Sequence, residues 1–140
     1  MNILNMNKLF VILFLLTICS NKANSQIKNT MVKIDSNYQL CLDSGINMYG
    51  CTINYFQTMD SMLNVTYKII RLKLNQADKD ALTKKQLIWL KKRDREYKII
   101  DSQPNIDGLR HIDNLMVKLD KKAQFINDRI YELINIYKLE

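Results

Sequence analysis

A chain of 140 residues with 47% hydrophobic content has one domain's length and enough apolar side chains to bury a core. With only 3 Gly and 1 Pro it lacks the turn material of a sheet-rich fold, so long helices joined by short links are favoured. The net charge is +7, there is a single His, and no Gly-rich phosphate loop, internal repeat or low-complexity tail is present.

The first element is a leader. Lys8 precedes an apolar run at residues 9–18, interrupted only by Thr17, and the small residues Ala23 and Ser25 suit the −3 and −1 pockets of a signal peptidase. Residues 1–25 read as a secretory signal peptide, with a mature domain over 26–140 that starts near Gln26 and is periplasmic or secreted. The apolar run is about half the length of a membrane-spanning helix, so no transmembrane span is expected. Leu16-Thr17-Ile18-Cys19 offers a second route, because it resembles a lipobox with Ile18 in place of the usual small residue. Lipid anchoring at Cys19 is therefore the alternative to cleavage after Ser25. Cleavage removes Lys8, Lys22 and no acid, leaving 19 basic against 14 acidic residues and a net charge of +5. It also leaves an even pair of cysteines, Cys41 and Cys51, which in an exported chain suggests a disulfide. Their spacing is not that of a CxxC redox pair.

Residues 26–36 show no clear period and read as a frayed start. A short helix is expected over 37–43, ended by Ser44-Gly45. From about Ile46 to Leu74 the pattern is strongly helical. Tyr49, Phe56, Leu63 and Ile70 recur every seven residues, with Ile53, Met59, Tyr67 and Leu74 beside them. Asn75 reads as the cap of a further helix, with Asp78 as its capping partner. That helix runs to about Ile100. Its apolar face is Ala81, Leu82, Ile88, Trp89, Tyr97 and Ile100, and its wet face carries Lys84, Lys85, Lys91, Lys92 and Arg95. Residues 101–108, with the only Pro and a late Gly, form the obvious loop. A last helix follows from about Leu109 to Tyr137, with Ile112, Leu119, Ile126 and Leu133 repeating by sevens. Leu115, Ala123, Ile130 and Tyr137 complete its stripe. No segment alternates polar and apolar residues as a strand would. The expected fold class is all-α: an antiparallel bundle of three long helices preceded by a short, disulfide-stapled one.

Converging chemical groups are scarce. His111 has no second His, Cys or Glu at a helical ligand spacing, and near a helix start it reads as a solvated or capping residue. No Ser, His and Asp set carries a nucleophile signature, and no carboxylate pair stands alone on an apolar face. Catalytic, metal and cofactor sites are therefore all read as none, and the protein as no enzyme. The cations from Lys84 to Arg95 are spread around their helix and read as a solvated face, with no nucleic-acid role. Arg93 follows Trp89 by four residues, close enough to stack on it, and Asp94 is placed to pair with a base on a neighbouring helix. Together they read as a polar clamp that fixes helix register.

The order Cys41, Cys51, Leu63-Asn64-x-x-Tyr67 and then Leu82-x-x-x-Gln86-x-x-Trp89-x-x-x-Arg93-Asp94 resembles the N-terminal domain of LprI-like proteins, a family described as lysozyme-inhibitor-like and exported. The resemblance is best over residues 38–97. It continues weakly to Arg129-x-x-Glu132-Leu133, which is similar to the family's closing motif. It implies that Leu63, Asn64, Tyr67, Gln86, Trp89, Arg93 and Asp94 are motif residues of a structural kind, and it supports pairing of Cys41 with Cys51. The family usually has a Cys where Tyr97 stands and a partner Cys near Asp120–Lys121. Their joint loss implies one missing disulfide between the second long helix and the last, leaving packing alone to join them. The functional expectation is a non-enzymatic exported binding domain with a protein partner in the envelope, for which the resemblance implies a lysozyme. The alternative is an envelope module that binds a protein or an anionic surface through its basic face.

Overall fold

The computed structural model describes residues 26–139. The leader expected over residues 1–25, Cys19 included, lies outside them. The described residues form four helices and no strand: α1 (residues 26–43), α2 (Met48–Lys73), α3 (Gln76–Ser102) and α4 (His111–Ile136). The fold is all-α.

α1 corrects the sequence reading. The segment expected to fray, 26–36, is helical and continuous with the short helix expected at 37–43. Ile27 and Met31 are buried, Met31 completely, and Ile34 and Tyr38 pack against the same core. These four residues are spaced by four, three and four, which makes one helical stripe. Polar Lys28, Asn29, Thr30 and Lys33 between them dilute the apolar signal. Ser44 and Gly45 end the helix as expected, with Gly45 at φ 67 in the left-handed region that glycine enters freely.

α2 begins two residues later than its apolar pattern, because Asn47 caps it by accepting a hydrogen bond from the Gly50 amide. Its fully buried line is Cys51, Thr52, Tyr55, Met59, Leu63, Thr66 and Ile70. The expected heptad members Tyr49 and Phe56 sit at the edge of this line and are half-buried. α3 opens at the expected cap: Asn75 Oδ1 accepts from the Asp78 amide, and Asn75 Nδ2 donates to the Asp78 carboxylate. Leu82, Trp89 and Ile100 are buried on α3, whereas Ala81 and Ile88 are exposed, contrary to expectation. They lie on the outer side of the helix, which none of the described residues covers. α4 segregates its apolar residues more strongly than α2 and α3 do. It buries Ala123, Ile126, Ile130, Leu133 and Ile134, and it packs chiefly along α2 and more sparsely on α3.

Contacts between successive helices run in opposite order along the chain. Asp35 of α1 meets Tyr55 of α2, and Tyr38 meets Thr52. Tyr67 of α2 meets Thr83 of α3, and Phe56 meets Tyr97. Gln86 of α3 meets Arg129 of α4, and Asp101 meets Lys122. The core lies between these helices, with Met59, Ile126 and Ile130 fully buried at its centre.

Candidate functional site

The motif residues gather along α3 and the helices beside it. Gln86 is buried and accepts two hydrogen bonds at Oε1 from Arg129, from Nε at 3.3 Å and from Nη2 at 3.0 Å. Arg129 is only 6% exposed, its Nη1 donates to Glu132 at 2.8 Å, and its guanidinium lies 5.6 Å from the Trp89 ring centroid. Trp89 stacks on Phe125 of α4, with centroids 5.6 Å apart. A charge this deep is tolerable only with its donors occupied, and here a carboxylate, an amide oxygen and an aromatic face occupy them. Gln86 and Trp89 on α3 thus connect to Arg129 and Glu132 of the closing motif on α4.

A second tie joins α2 to α3. Arg71 donates to Thr83 Oγ1 at 2.7 Å and to Tyr67 Oη at 3.2 Å, and Tyr67 Oη lies 3.1 Å from Thr83 Oγ1. Tyr67 was legible in the sequence; Thr83 was not, because no spacing rule links it to a residue sixteen positions earlier. Arg71 carried a faint signal, since it stands four residues after Tyr67 on one helix.

Arg93 is half-buried. Its guanidinium lies 6.0 Å from the Trp89 centroid and 5.7 Å from that of Tyr97. It donates to Asp94 at 2.8 Å and reaches Asp60 of α2 at 3.9 Å. The expected stacking on Trp89 is present. The expected division of labour is not: Asp94 holds its own neighbour Arg93, and it is Arg93 that crosses to the next helix.

Tyr97 stands where the resemblance implied a missing cysteine, and the joint it forms is not left to packing alone. Its hydroxyl donates to the Lys122 carbonyl at 3.5 Å, and Lys122 Nζ sits 5.3 Å from its ring centroid. Lys122 also pairs with Asp101 at 2.7 Å, Lys118 donates to the Asp101 carbonyl, and Lys121 donates to Gln103. Polar contacts therefore close the junction of α3 and α4 at the expected place. Burial pushes the Tyr97 phenol up to about 12, against the opposing pull of the nearby Arg93 charge. Burial likewise pushes Tyr55 well above its ordinary range, helped by the hydrogen bond it donates to Asp35. At neutral pH these phenols are fixed hydrogen-bond donors, too weakly acidic to act as proton-transfer groups.

Between α2 and α3 the motif leaves a shallow cleft of about 270 Å³. Leu63, Asn64, Tyr67, Gln86 and Arg93 line it, with Asp60 at its rim. Trp89 is turned to the other side, towards α4, and Asp94 is exposed. The cleft is open, and its polar groups are largely engaged with one another. Cys41 and Cys51 form the disulfide that joins the end of α1 to the first turn of α2. His111 is exposed at the start of α4. Among the described residues, no three His, Cys, Asp or Glu side chains gather as metal ligands would, and no helix is long and apolar enough to cross a membrane.

The described residues thus form a disulfide-stapled, all-helical fold whose three motif segments meet around α3. Residues 41–133 match the family described as lysozyme inhibitor LprI, and the chain belongs to that family. The match runs from the first disulfide cysteine to Leu133 in α4, where the weak continuation read from the motifs also ends. Neither the curated proteins nor the solved structures contain a match to the chain.

Proposed function

We propose that residues 26–140 form one antiparallel helical domain, exported after removal of residues 1–25, that acts as a non-enzymatic lysozyme-inhibitor-type protein of the bacterial envelope. The observation that carries this reading is the family match over residues 41–133, which spans the disulfide, both motif segments on α2 and α3 and the closing motif on α4. The geometry supports it by the use made of polar groups. Arg129 is spent on Gln86 and Glu132, Arg71 on Tyr67 and Thr83, and Arg93 on Asp94, so these helices are tied in a fixed arrangement with no converging acid and base among the described residues. A rigid, pre-ordered surface is what a stoichiometric protein inhibitor needs, because little entropy is lost when it docks.

The experiment is a cell-wall lysis assay with several lysozyme types and equimolar purified protein. Slower lysis by at least one type is expected, with inhibition titrating to one protein per enzyme. Unchanged lysis with every type rules the reading out.

A further inference from the structure

The outer side of α3 is not used by the motif cluster. Lys84, Lys91, Arg95 and Lys98 fall within about 60° of one another around the helix, and Lys85 and Lys92 extend the arc to about 140°. All six are exposed, and none makes an ion pair among the described residues. Between residues 81 and 99 the acids of α3, Asp94 and Glu96, fall outside this arc. Asp94 is also neutralised by Arg93. Helix geometry thus gathers on one side the cations that the sequence reading spread around the helix. The stripe is straight and about 21 Å long from Lys84 to Lys98.

Isoleucines interrupt this field. Ile88 is 69% exposed in its middle and Ile99 is 47% exposed near its end. Across the groove between α3 and α4, Ile136 is 54% exposed beside Ile88. A soluble polyanion would satisfy the cations and gain little from the isoleucines. A bilayer surface with anionic headgroups satisfies both, since phosphates meet the cations and the acyl boundary accepts the apolar side chains. We infer that the outer face of α3 docks on an anionic lipid surface, with Lys84, Lys91 and Arg95 against phosphates and Ile88 entering the acyl boundary.

The face is separate from the cleft between α2 and α3 and does not depend on lysozyme binding. The test is sedimentation of the full chain with phosphatidylcholine vesicles and with vesicles one-third phosphatidylglycerol, at low and high salt. Any pull from the leader is common to wild type and variants, so the readout is the ratio of anionic to neutral partition. That ratio should exceed ~10 at low salt and fall steeply at high salt. The variant Lys84→Glu/Lys91→Glu/Arg95→Glu should bring it close to one, and Ile88→Ser should lower retention at high salt. All four positions are exposed, and circular dichroism checks that the variants remain helical. A ratio near one for the wild-type chain overturns the inference whatever the variants do. So does a folded charge-reversed variant that binds as the wild type does. Capture by soluble polyphosphate that blocks no vesicle binding leaves it standing; capture by polyphosphate without any vesicle binding overturns it. An unchanged lysis assay with the charge-reversed variant separates this face from the inhibitory one.

Discussion

Gln86 occupies a position that a hydrophobic residue would fill by spacing alone, three residues before Trp89 on the buried side of α3. Its amide oxygen is the acceptor that makes a buried Arg129 tolerable. Gln86→Leu is expected to destabilise by about 2–3 kcal/mol, since two guanidinium donors lose their partner where water cannot replace it. Gln86→Leu with Arg129→Met should cost less than Gln86→Leu alone, because no uncompensated charge remains. Urea unfolding of both variants checks the order, and equal or reversed costs would remove Gln86 from this role. Tyr97 gives a pH signature. Its folded value of about 12 lies above the ordinary phenol value of 10.0, so the protonated form is favoured by folding. Its contribution is fully present below pH 10 and is lost as pH rises through 12. Tyr97→Phe should therefore show a shallower loss of stability between those limits than the wild type, although Tyr55 and Tyr38, shifted in the same direction, keep some slope. Parallel curves in a urea series at rising pH would contradict it.

The short connection between α1 and α2 shows how little sequence an element boundary needs. Gly45 takes the left-handed backbone, Asn47 caps α2, and the disulfide closes a loop with a sequence separation of 10. Cys41→Ser with Cys51→Ser should lower stability by about 2–3 kcal/mol through the freedom returned to the unfolded chain. Ile27 and Met31 should keep α1 docked at its other end, so the loss is a shift of the unfolding midpoint with the helical circular dichroism spectrum retained. A midpoint that does not move between oxidised and double-variant protein would refute it. The other ends use similar devices. Asn114 is buried at the start of α4, accepts from the Ile106 amide and donates to the carbonyls of Leu109 and Arg110, which fixes the loop after α3. Beyond α4, Lys138 takes a left-handed conformation, and the Leu139 amide donates back to Ile134, which delivers Leu139 into the core.

For the molecule as a whole, charge constrains how it meets a partner. The sequence carries +7, and the exported form +5 under the proposed cleavage. A basic lysozyme and a basic inhibitor repel at long range, so recognition between them rests on contacts at close quarters. Association with a basic lysozyme should accelerate as salt is raised, because screening removes the repulsion, while docking on anionic lipid should weaken. Stopped-flow association at two ionic strengths separates the two behaviours. A lysozyme association rate that falls with salt would show that a local acidic patch, not net charge, guides the encounter.

The sequence by itself determined the helical class, the long helices, the Asn75 cap, the Gly45 break and the residues of the family motif. These follow from local rules: period 3.6, capping chemistry and the conformational freedom of glycine. It did not determine α1 before residue 37, because Ile27 and Met31 earn burial only in the assembled core, and polar neighbours mask their spacing. Nor did it determine that Gln86 and Arg129 meet across 43 positions, that Thr83 closes a triad with Tyr67 and Arg71, or that Tyr97 and Lys122 stand at the junction of α3 and α4. Those pairings depend on the rotation of each helix about its axis, which long-range packing sets. The same rotation decided that Ile88 faces outward among lysines: its spacing allowed either side, and the packing of Leu82, Gln86 and Trp89 left it only one.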